Sequence, residues 1–369
     1  MKRLTSSQLQ RLVEHKYKSC GTSLLDPVLQ IYWRWLVTCM PLWLAPNLIT
    51  FIGLLINLIA TLCVVYYDPN MVGKAPNWVF LSCALSVFIY QSLDAIDGKQ
   101  ARRTKTNNQL GELFDHGCDA VSNILLIPCC GGAAALNEQP NLFLALMAIQ
   151  LCLFYCYHWL NYVVGELRFN WIDVTEAQWL IIIVEIVSFV CGVDVWTIVA
   201  FGKFELRQLL LIGVIVSGLL TLGRCLVTIM GGGEGKNGSS VADTSVLSPA
   251  IPLLIVLGSG LGYSYWSKFN QLHSMLYLAV FGVPIVKLGI VLVMSCITRS
   301  PMPHADITML APLAAISNIY FNFLVSEYLL FSLLTVFVLV DLVISSILDC
   351  REISSHLRVN VFTIPRPAE

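Results

Sequence analysis

Charged residues are scarce in this sequence. Asp, Glu, Lys and Arg make up 12% of its 369 residues, whereas a soluble domain carries roughly 25%. The charges nearly cancel, with 22 basic and 23 acidic residues, so no overall field exists that would attract a nucleic acid. The composition therefore excludes an ordinary soluble domain and predicts a membrane protein without a nucleic-acid partner.

Two other patterns are missing. The thirteen cysteines show no repeated metal-binding spacing, and some, such as Cys152 and Cys156, lie inside apolar runs, which is typical of buried free thiols. We favour the same interpretation for Cys129 and Cys130 over a catalytic or acylated role. The N-terminus lacks the apolar core and cleavage site of a signal peptide, so we expect insertion to rely on later segments.

Long apolar runs are what the sequence has in abundance. A transmembrane helix needs about 20 mostly apolar residues, and ten such runs predict an all-α polytopic membrane protein with about ten transmembrane helices. The runs cover approximately 48–67, 77–95, 114–134, 142–163, 179–200, 208–230, 248–266, 274–297, 308–326 and 328–349. Polar residues interrupt the ninth run, at Ser317, Asn318 and Asn322.

The segment before the first run is amphipathic. Leu9, Leu12 and Val13 share one helical face, with basic residues on the other, which predicts an interfacial helix lying on the bilayer surface. Trp33, Trp35 and Trp43 follow it, and indole rings prefer the interface.

Basic residues fall mainly on one side of the predicted topology. With ten spans, sixteen of the Lys and Arg residues lie on the side that holds both termini and the segment 96–113, and four lie on the other. Because cytoplasmic segments carry the excess of Lys and Arg, we expect the segment 96–113 to face the cytosol.

Four aspartates flank that segment. Asp94 and Asp97 end the second span, and Asp115 and Asp119 begin the third. Ionised carboxylates at membrane depth are expensive and repel one another unless cations intervene. Oxygen ligands select Mg²⁺ or Mn²⁺ over zinc, and two such ions suit an in-line displacement at phosphorus. The pattern therefore predicts a site for two divalent ions.

Small and basic residues lie between the aspartates. Gly98 and Gly111 would allow a phosphate or a metal to approach the backbone. The small side chain of Ala101 leaves space on the same helix surface. Arg102 offers a planar fork of donors for phosphate oxygens.

The motif resembles the signature of the CDP-alcohol phosphotransferase family. The matching residues are Asp94, Asp97, Gly98, Ala101, Arg102, Gly111, Asp115 and Asp119. The wording "SLDAIDGKQARRT" with "GELFDHGCD", together with "PNLIT", "DVTE" and "GKNGS", is similar to the eukaryotic choline/ethanolamine phosphotransferase branch. On this basis we divide the chain into an N-terminal cytosolic or interfacial segment (1–46), catalytic helices (47–230), additional transmembrane helices (231–350) and a cytosolic tail (351–369).

The resemblance implies a reaction and its substrates. It implies transfer of phosphocholine, or of phosphoethanolamine, from CDP-choline or CDP-ethanolamine to diacylglycerol, with CMP as the second product. It also implies that Asn47 contacts the CDP portion, although from sequence alone Asn47 would be a helix cap. A homodimer in the endoplasmic reticulum or Golgi membrane is implied as well. The alternatives are an ethanolamine-specific or inositol-using relative and, in a different class, a cation-coupled transporter.

His116 and Asp119 are the candidates for the general base. Glu112, Asp115, His116 and Asp119 share one helical stripe. We favour His116, because a metal-bound carboxylate loses basicity and Glu112, one turn earlier, is placed to orient the imidazole. The assignment to Asp119 stays open.

Overall fold

The computed structural model describes residues 3–364, and the chain is almost entirely helical. Its thirteen described α-helices are α1 (Ser6–Glu14), α2 (Asp26–Cys39), α3 (Pro46–Tyr67), α4 (Asn77–Thr104), α5 (Gln109–Ala133), α6 (Pro140–Val164), α7 (Val174–Cys191), α8 (Leu206–Met230), α9 (Ala250–Trp266), α10 (Phe269–Leu272), α11 (Ser274–Ile297), α12 (Leu310–Tyr320) and α13 (Glu327–Leu357). Two short strand pairs accompany them: β1 (Ser19–Cys20) with β2 (Leu167–Arg168), and β3 (Val199–Ala200) with β4 (Phe204–Glu205). The all-α prediction is confirmed.

Helices occur at all ten predicted spans, although α7 ends at Cys191, nine residues before the predicted end of the fifth span at residue 200. Within residues 3–364, seven are long and apolar enough to cross a membrane, namely α3, α4, α6, α7, α8, α11 and α13. The third predicted span, α5, has 25 residues but begins among the acidic side chains, and α9 has only 17 residues. The protein is an integral membrane protein.

The ninth predicted span, 308–326, is wrong in its extent. Helix α12 has eleven residues, which rise about 16 Å, roughly half the hydrocarbon thickness. The Asn318 side chain bonds both the backbone N–H and the carbonyl of Val325. The polar residues that interrupt the run therefore form the turn that ends the helix.

The chain before α12 is held at mid-depth by charge pairing. Lys287 on α11 contacts Asp341 on α13 and lies 3.2 Å from Asp306, which precedes α12. Lys287 is ten residues from the end of α11, or about 15 Å along the axis. Residues 298–306, which form no α-helix, thus accompany α11 to this depth, and the ion pairs make the buried ammonium tolerable.

Helix α1 forms where the sequence predicts an amphipathic helix. Thr5 and Gln8 make a capping box at its start, as expected of an N-terminus. Its buried face, Leu9 and Leu12, packs against protein, in a cluster with Leu113 of α5 and residues of α11 and α13. Leu9 and Leu12 are therefore covered by protein, whereas Val13, the third residue of the predicted apolar face, is exposed.

Candidate active site

The aspartates lie where α4 and α5 meet. Helix α4 ends at Lys105, which adopts a left-handed conformation with φ of 55°. Asn108 then caps α5 by accepting a hydrogen bond from the Gly111 N–H at 3.0 Å. This tight turn makes the helices antiparallel neighbours, so the end of one and the start of the other share a single cluster.

Three of the four aspartates share one candidate metal position. Carboxylate oxygens of Asp94, Asp97 and Asp115 all lie within 4.8 Å of one another. The Oδ1 atoms of Asp94 and Asp115 are buried and lack hydrogen-bond partners among residues 3–364. Buried acceptors without partners call for an ion or water, and an all-oxygen set fits Mg²⁺ or Mn²⁺.

The other contacts of these carboxylates come from neighbouring helices. The Tyr90 hydroxyl on α4 donates to Asp119 Oδ1 at 2.7 Å, and Asp119 lines the same cavity as the other three aspartates. The Thr50 hydroxyl on α3 donates to Asp97 Oδ2 at 2.5 Å. Asp119 therefore borders the trio, and both Asp97 and Asp119 have their orientation fixed by a hydroxyl.

Glu112 does not hydrogen-bond His116 among the described residues, so the predicted orienting contact is corrected. Its carboxylate instead pairs with His15, whose Nε2 lies 2.9 Å from Oε2 and 3.1 Å from Oε1. Gln109 also donates to the His15 carbonyl, at 3.0 Å. The N-terminal segment places the His15 imidazole at the start of α5. The Glu112 carboxylate therefore pairs with His15 and not with His116.

His116 has aromatic neighbours instead. It is 5% exposed, and its Nδ1 has no hydrogen-bond partner in the described chain. Its ring centroid lies 5.1 Å from that of His158 and 6.0 Å from that of Tyr17. The imidazole is thus positioned by ring packing and not by a hydrogen bond to Nδ1.

Tyr17 lines the same cavity as His116 and lies next to it. Tyr17 is half-buried. Partial desolvation of its phenol, with a contribution from the carboxylates of Asp115, Glu112 and Asp119, raises the pKa of Tyr17 to about 12. The phenol is therefore neutral at physiological pH.

The residues predicted to contact the CDP-alcohol line the same cavity as the aspartates: Asn47, Gly98, Ala101, Arg102 and Gly111. Ala45, not Asn47, is the N-cap of α3, so the side chain of Asn47 is not used as a cap. A methyl group added at Gly111 would lie 3.6 Å from Asn47 Oδ1. The space beside Gly111 therefore also borders the amide oxygen of Asn47, which faces α5.

The cavity is large and changes character along its length. Its volume is about 1420 Å³. The aspartates, His116 and the polar residues lie at one end, and apolar side chains of α6, α7 and α8 line the other, among them Leu146, Ile149, Leu153, Ile181, Leu210 and Val214. The cavity can therefore hold a charged ligand and an apolar ligand at once.

Two of the basic residues between the aspartates have structural contacts. Arg103 donates to the carbonyls of Val37 and Met40 at the end of α2. Lys99 donates to the Ala95 carbonyl and lies 5.5 Å from the centre of the Trp33 ring. Arg102 is exposed and lines the cavity, so it keeps its donors for a ligand.

Sequence reasoning missed four contributors to the site: His15, Tyr17, Thr50 and Tyr90. His15 and Tyr17 are about a hundred residues from the motif, and no spacing rule connects them to it. Thr50 lies in the quoted "PNLIT" element, three residues after Asn47. Its position one turn along the same helix was the available signal.

Comparison with known protein sequences shows which family this chain belongs to. The family model described as CDP-alcohol phosphatidyltransferase matches residues 43–217. Cholinephosphotransferase 1 of Danio rerio is 43% identical over 368 residues, which cover 98% of this chain and 95% of the relative. The chain belongs to the CDP-alcohol phosphatidyltransferase family.

Other relatives agree with this placement. Cholinephosphotransferase 1 of Homo sapiens is 41% identical, covering 97% of this chain and 89% of the relative. An uncharacterized CDP-alcohol phosphatidyltransferase class-I family protein of Dictyostelium discoideum is 29% identical, covering 91% and 88%. The likeness to these CDP-alcohol phosphatidyltransferases thus extends well beyond residues 43–217, into the helices that follow.

Proposed function

We propose that this enzyme transfers phosphocholine from CDP-choline to diacylglycerol, giving phosphatidylcholine and CMP. The observation that carries the proposal is the joining of an aspartate cluster to an apolar groove in one cavity. A nucleotide-activated phosphoalcohol needs the first, and a diacyl acceptor needs the second. The choice of choline as the headgroup rests on relatives named Cholinephosphotransferase 1, which are about 40% identical over nearly the whole chain.

Asp94, Asp97 and Asp115 would hold a Mg²⁺ or Mn²⁺ ion, and Asp119 would complete the ligand set for a second ion. Bound divalent ions neutralise the phosphoryl oxygens and align the attacking and leaving groups. Thr50 and Tyr90 keep two of the carboxylates turned toward the cavity through their hydroxyl hydrogen bonds. The chain thus supplies a preorganised acidic pocket.

His116 would accept the proton of the diacylglycerol hydroxyl as that oxygen attacks phosphorus. Its Nδ1 has no partner within the described structure, so no protein group there competes with the diacylglycerol hydroxyl for that nitrogen. Asp119 already accepts a hydrogen bond from Tyr90, which weakens its claim to be the base. His158 and Tyr17 fix the plane of the His116 ring.

Polar residues near the turn would bind the nucleotide half of the donor. Arg102 would donate to phosphate oxygens, and Asn47 would hydrogen-bond the cytidine or ribose. Gly98, Ala101 and Gly111 leave the space through which the diphosphate reaches the aspartates.

The membrane setting completes the proposal. Both described chain ends lie on one side of the molecule, because Arg3 pairs with Asp349 at 3.3 Å near the end of α13. The aspartates lie toward this side, and we propose that it faces the cytosol of the endoplasmic reticulum or Golgi, where a soluble CDP-alcohol is available. A homodimer and the division of the chain after residue 230 remain proposals on the family resemblance.

The deciding experiment measures CMP release by the purified protein in lipid nanodiscs. CDP-choline and CDP-ethanolamine are compared side by side with diacylglycerol, in Mg²⁺ and in Mn²⁺. We expect cation-dependent release with preference for CDP-choline, lost in Asp94→Asn and Asp115→Asn. Preference for CDP-ethanolamine would select the ethanolamine-specific alternative, and release without diacylglycerol or without cations would contradict the proposal.

A further inference from the structure

A second cluster of chemically active side chains lies away from the aspartates. Cys83 on α4, Cys129 on α5 and Glu185 on α7 place two sulfur atoms and a carboxylate oxygen within 4.8 Å of one another. All three residues are buried, with exposures of 0%, 1% and 0%. We propose that these residues bind a structural Zn²⁺ ion.

The carboxylate of Glu185 carries the argument. Neither of its oxygens has a hydrogen-bond partner among residues 3–364, although the residue lies within a candidate membrane span. An unpaired carboxylate at such a position is among the most costly groups a protein contains. A bound cation satisfies both the charge and the empty lone pairs, and the two cysteine sulfurs mark where that cation would lie.

The donor set identifies the kind of ion. Thiolates favour soft or borderline metals, and the hard ions Mg²⁺ and Ca²⁺ prefer oxygen. The carboxylate in turn disfavours Cu(I), which leaves Zn²⁺ as the ion that accepts both donor types. The Thr61 hydroxyl oxygen lies 3.5 Å from the Cys129 sulfur and directs its hydrogen to backbone carbonyls. This contact helps to fix the position of the Cys129 sulfur.

The cluster is separate from the catalytic centre. Cys83 precedes Asp94 on α4 by eleven residues, or about 16 Å along the helix axis. Cys129 and Glu185 are likewise near the ends of α5 and α7 remote from the aspartates. The ion would therefore join α4, α5 and α7 away from the aspartates, near the apolar end of the cavity, which the adjacent residues Cys130 and Val184 line.

Joining these three helices bears on the active site indirectly. Helices α4 and α5 carry all four aspartates, and α7 packs along α4. The Ser188 hydroxyl on α7 also donates to the Ala133 carbonyl at the end of α5, at 2.7 Å. The ion would add a stronger link at this end of the bundle than that single hydrogen bond provides.

Elemental analysis of the full-length protein in nanodiscs tests the site. The protein is purified with Mg²⁺ as the only added divalent ion and passed over a chelating resin, and zinc is measured by mass spectrometry. The variants are Glu185→Gln, which keeps the side-chain shape, and Cys83→Ala. The control is Cys130→Ala, a buried cysteine next to Cys129 that is not part of the cluster.

We expect about one zinc per chain in the wild type and in Cys130→Ala, and at least about ten-fold less in Glu185→Gln and Cys83→Ala. Should Cys83→Ala fail to fold, Glu185→Gln alone decides, with gel filtration as the check of folding. Replacement by Co²⁺ gives an independent readout, because thiolate ligands produce an intense charge-transfer absorption. Wild-type protein without zinc, equal zinc in all variants, or a disulfide between Cys83 and Cys129 in peptide mapping would each overturn the proposal.

Discussion

His15 Nε2 lies 2.9 Å from Glu112 Oε2, so the N-terminal segment provides the partner of an acidic residue in the first turn of α5. Both side chains are largely buried, with exposures of 13% and 9%. The pair fixes the start of the helix that carries Asp115 and His116. We therefore propose for Glu112 a positioning role that acts through α5.

Removing either partner of this pair should have the same effect. We expect His15→Ala and Glu112→Gln each to lower kcat about ten-fold, because a hydrogen bond to a charged group contributes roughly 1.5–3 kcal/mol. The double variant should be no worse than either single one. His304→Ala, an exposed histidine outside the cavity, is the control. Additive losses in the steady-state rates would show that Glu112 acts independently of His15.

The Thr50 hydroxyl should matter for metal affinity. Thr50→Val keeps the shape but removes the donor to Asp97, so we expect the Mg²⁺ concentration for half-maximal activity to rise about ten-fold. Thr50→Ser should restore it. Titration of activity with Mg²⁺ measures the change, with Thr38→Val on α2 as a control for loss of a hydroxyl. An unchanged Mg²⁺ dependence in Thr50→Val would contradict the assigned role.

The roles of His116 and Asp119 can be distinguished by measuring metal binding and turnover in the same variants. We expect His116→Ala to lower kcat at least about a hundred-fold while Mn²⁺ binding stays near wild type, because a general base contributes about 10²–10⁴. Asp119→Asn should weaken Mn²⁺ binding as well. Electron paramagnetic resonance titration reports the bound Mn²⁺. If Asp119→Asn binds Mn²⁺ normally but is inactive while His116→Ala is active, the base is Asp119.

The ring of Tyr17, and not its ionisation, should support His116. Because the pKa of Tyr17 is raised to about 12, the phenol stays protonated from about pH 6 to about pH 9. We therefore expect Tyr17→Phe to keep the wild-type pH–rate profile over this range and Tyr17→Ala to lower kcat about ten-fold. A change in the alkaline limb of the Tyr17→Phe profile would point to a titrating phenol.

A bulky residue in the apolar part of the cavity should impair the lipid acceptor alone. Gly213 on α8 lines the cavity, and a Cβ added there meets nothing within 4 Å. We expect Gly213→Trp to raise KM for diacylglycerol about ten-fold with little change for CDP-choline. Gly223→Trp is the matched control, since Gly223 is on the same helix, is equally open and is not among the cavity-lining residues. Equal effects of both variants would argue against acyl-chain binding in this groove.

The positions of the helices could be predicted from the sequence because apolar length is a local property. Ten apolar runs correspond to ten helices, and the aspartates of α4 and α5 meet because only a short turn separates them. The extent of α12 could not be predicted in the same way. Its end depends on the Asn318 side chain bonding the backbone of Val325, a turn that hydropathy does not describe.

From the sequence, we could predict only those parts of the site that lie on one face of one helix. A shared stripe places Glu112 and His116 near each other, but it does not reveal a competing partner from elsewhere in the chain. His15 is 97 residues away from Glu112, and its contact depends on how the N-terminal segment folds back. Glu185 was recognisable as a costly charge, whereas its proximity to Cys83 and Cys129 required the packing of three helices.

The docking of the N-terminal segment limits how far this enzyme can be shortened. Strand β1 pairs with β2, the Leu25 N–H donates to Glu176, and the Thr175 hydroxyl donates to Asp26. All these partners lie within residues 43–217, yet residues 15–26 lie outside that range. A truncated protein that started at residue 43 would keep Asp94, Asp97, Asp115 and Asp119 and still lack one side of the cavity that holds them.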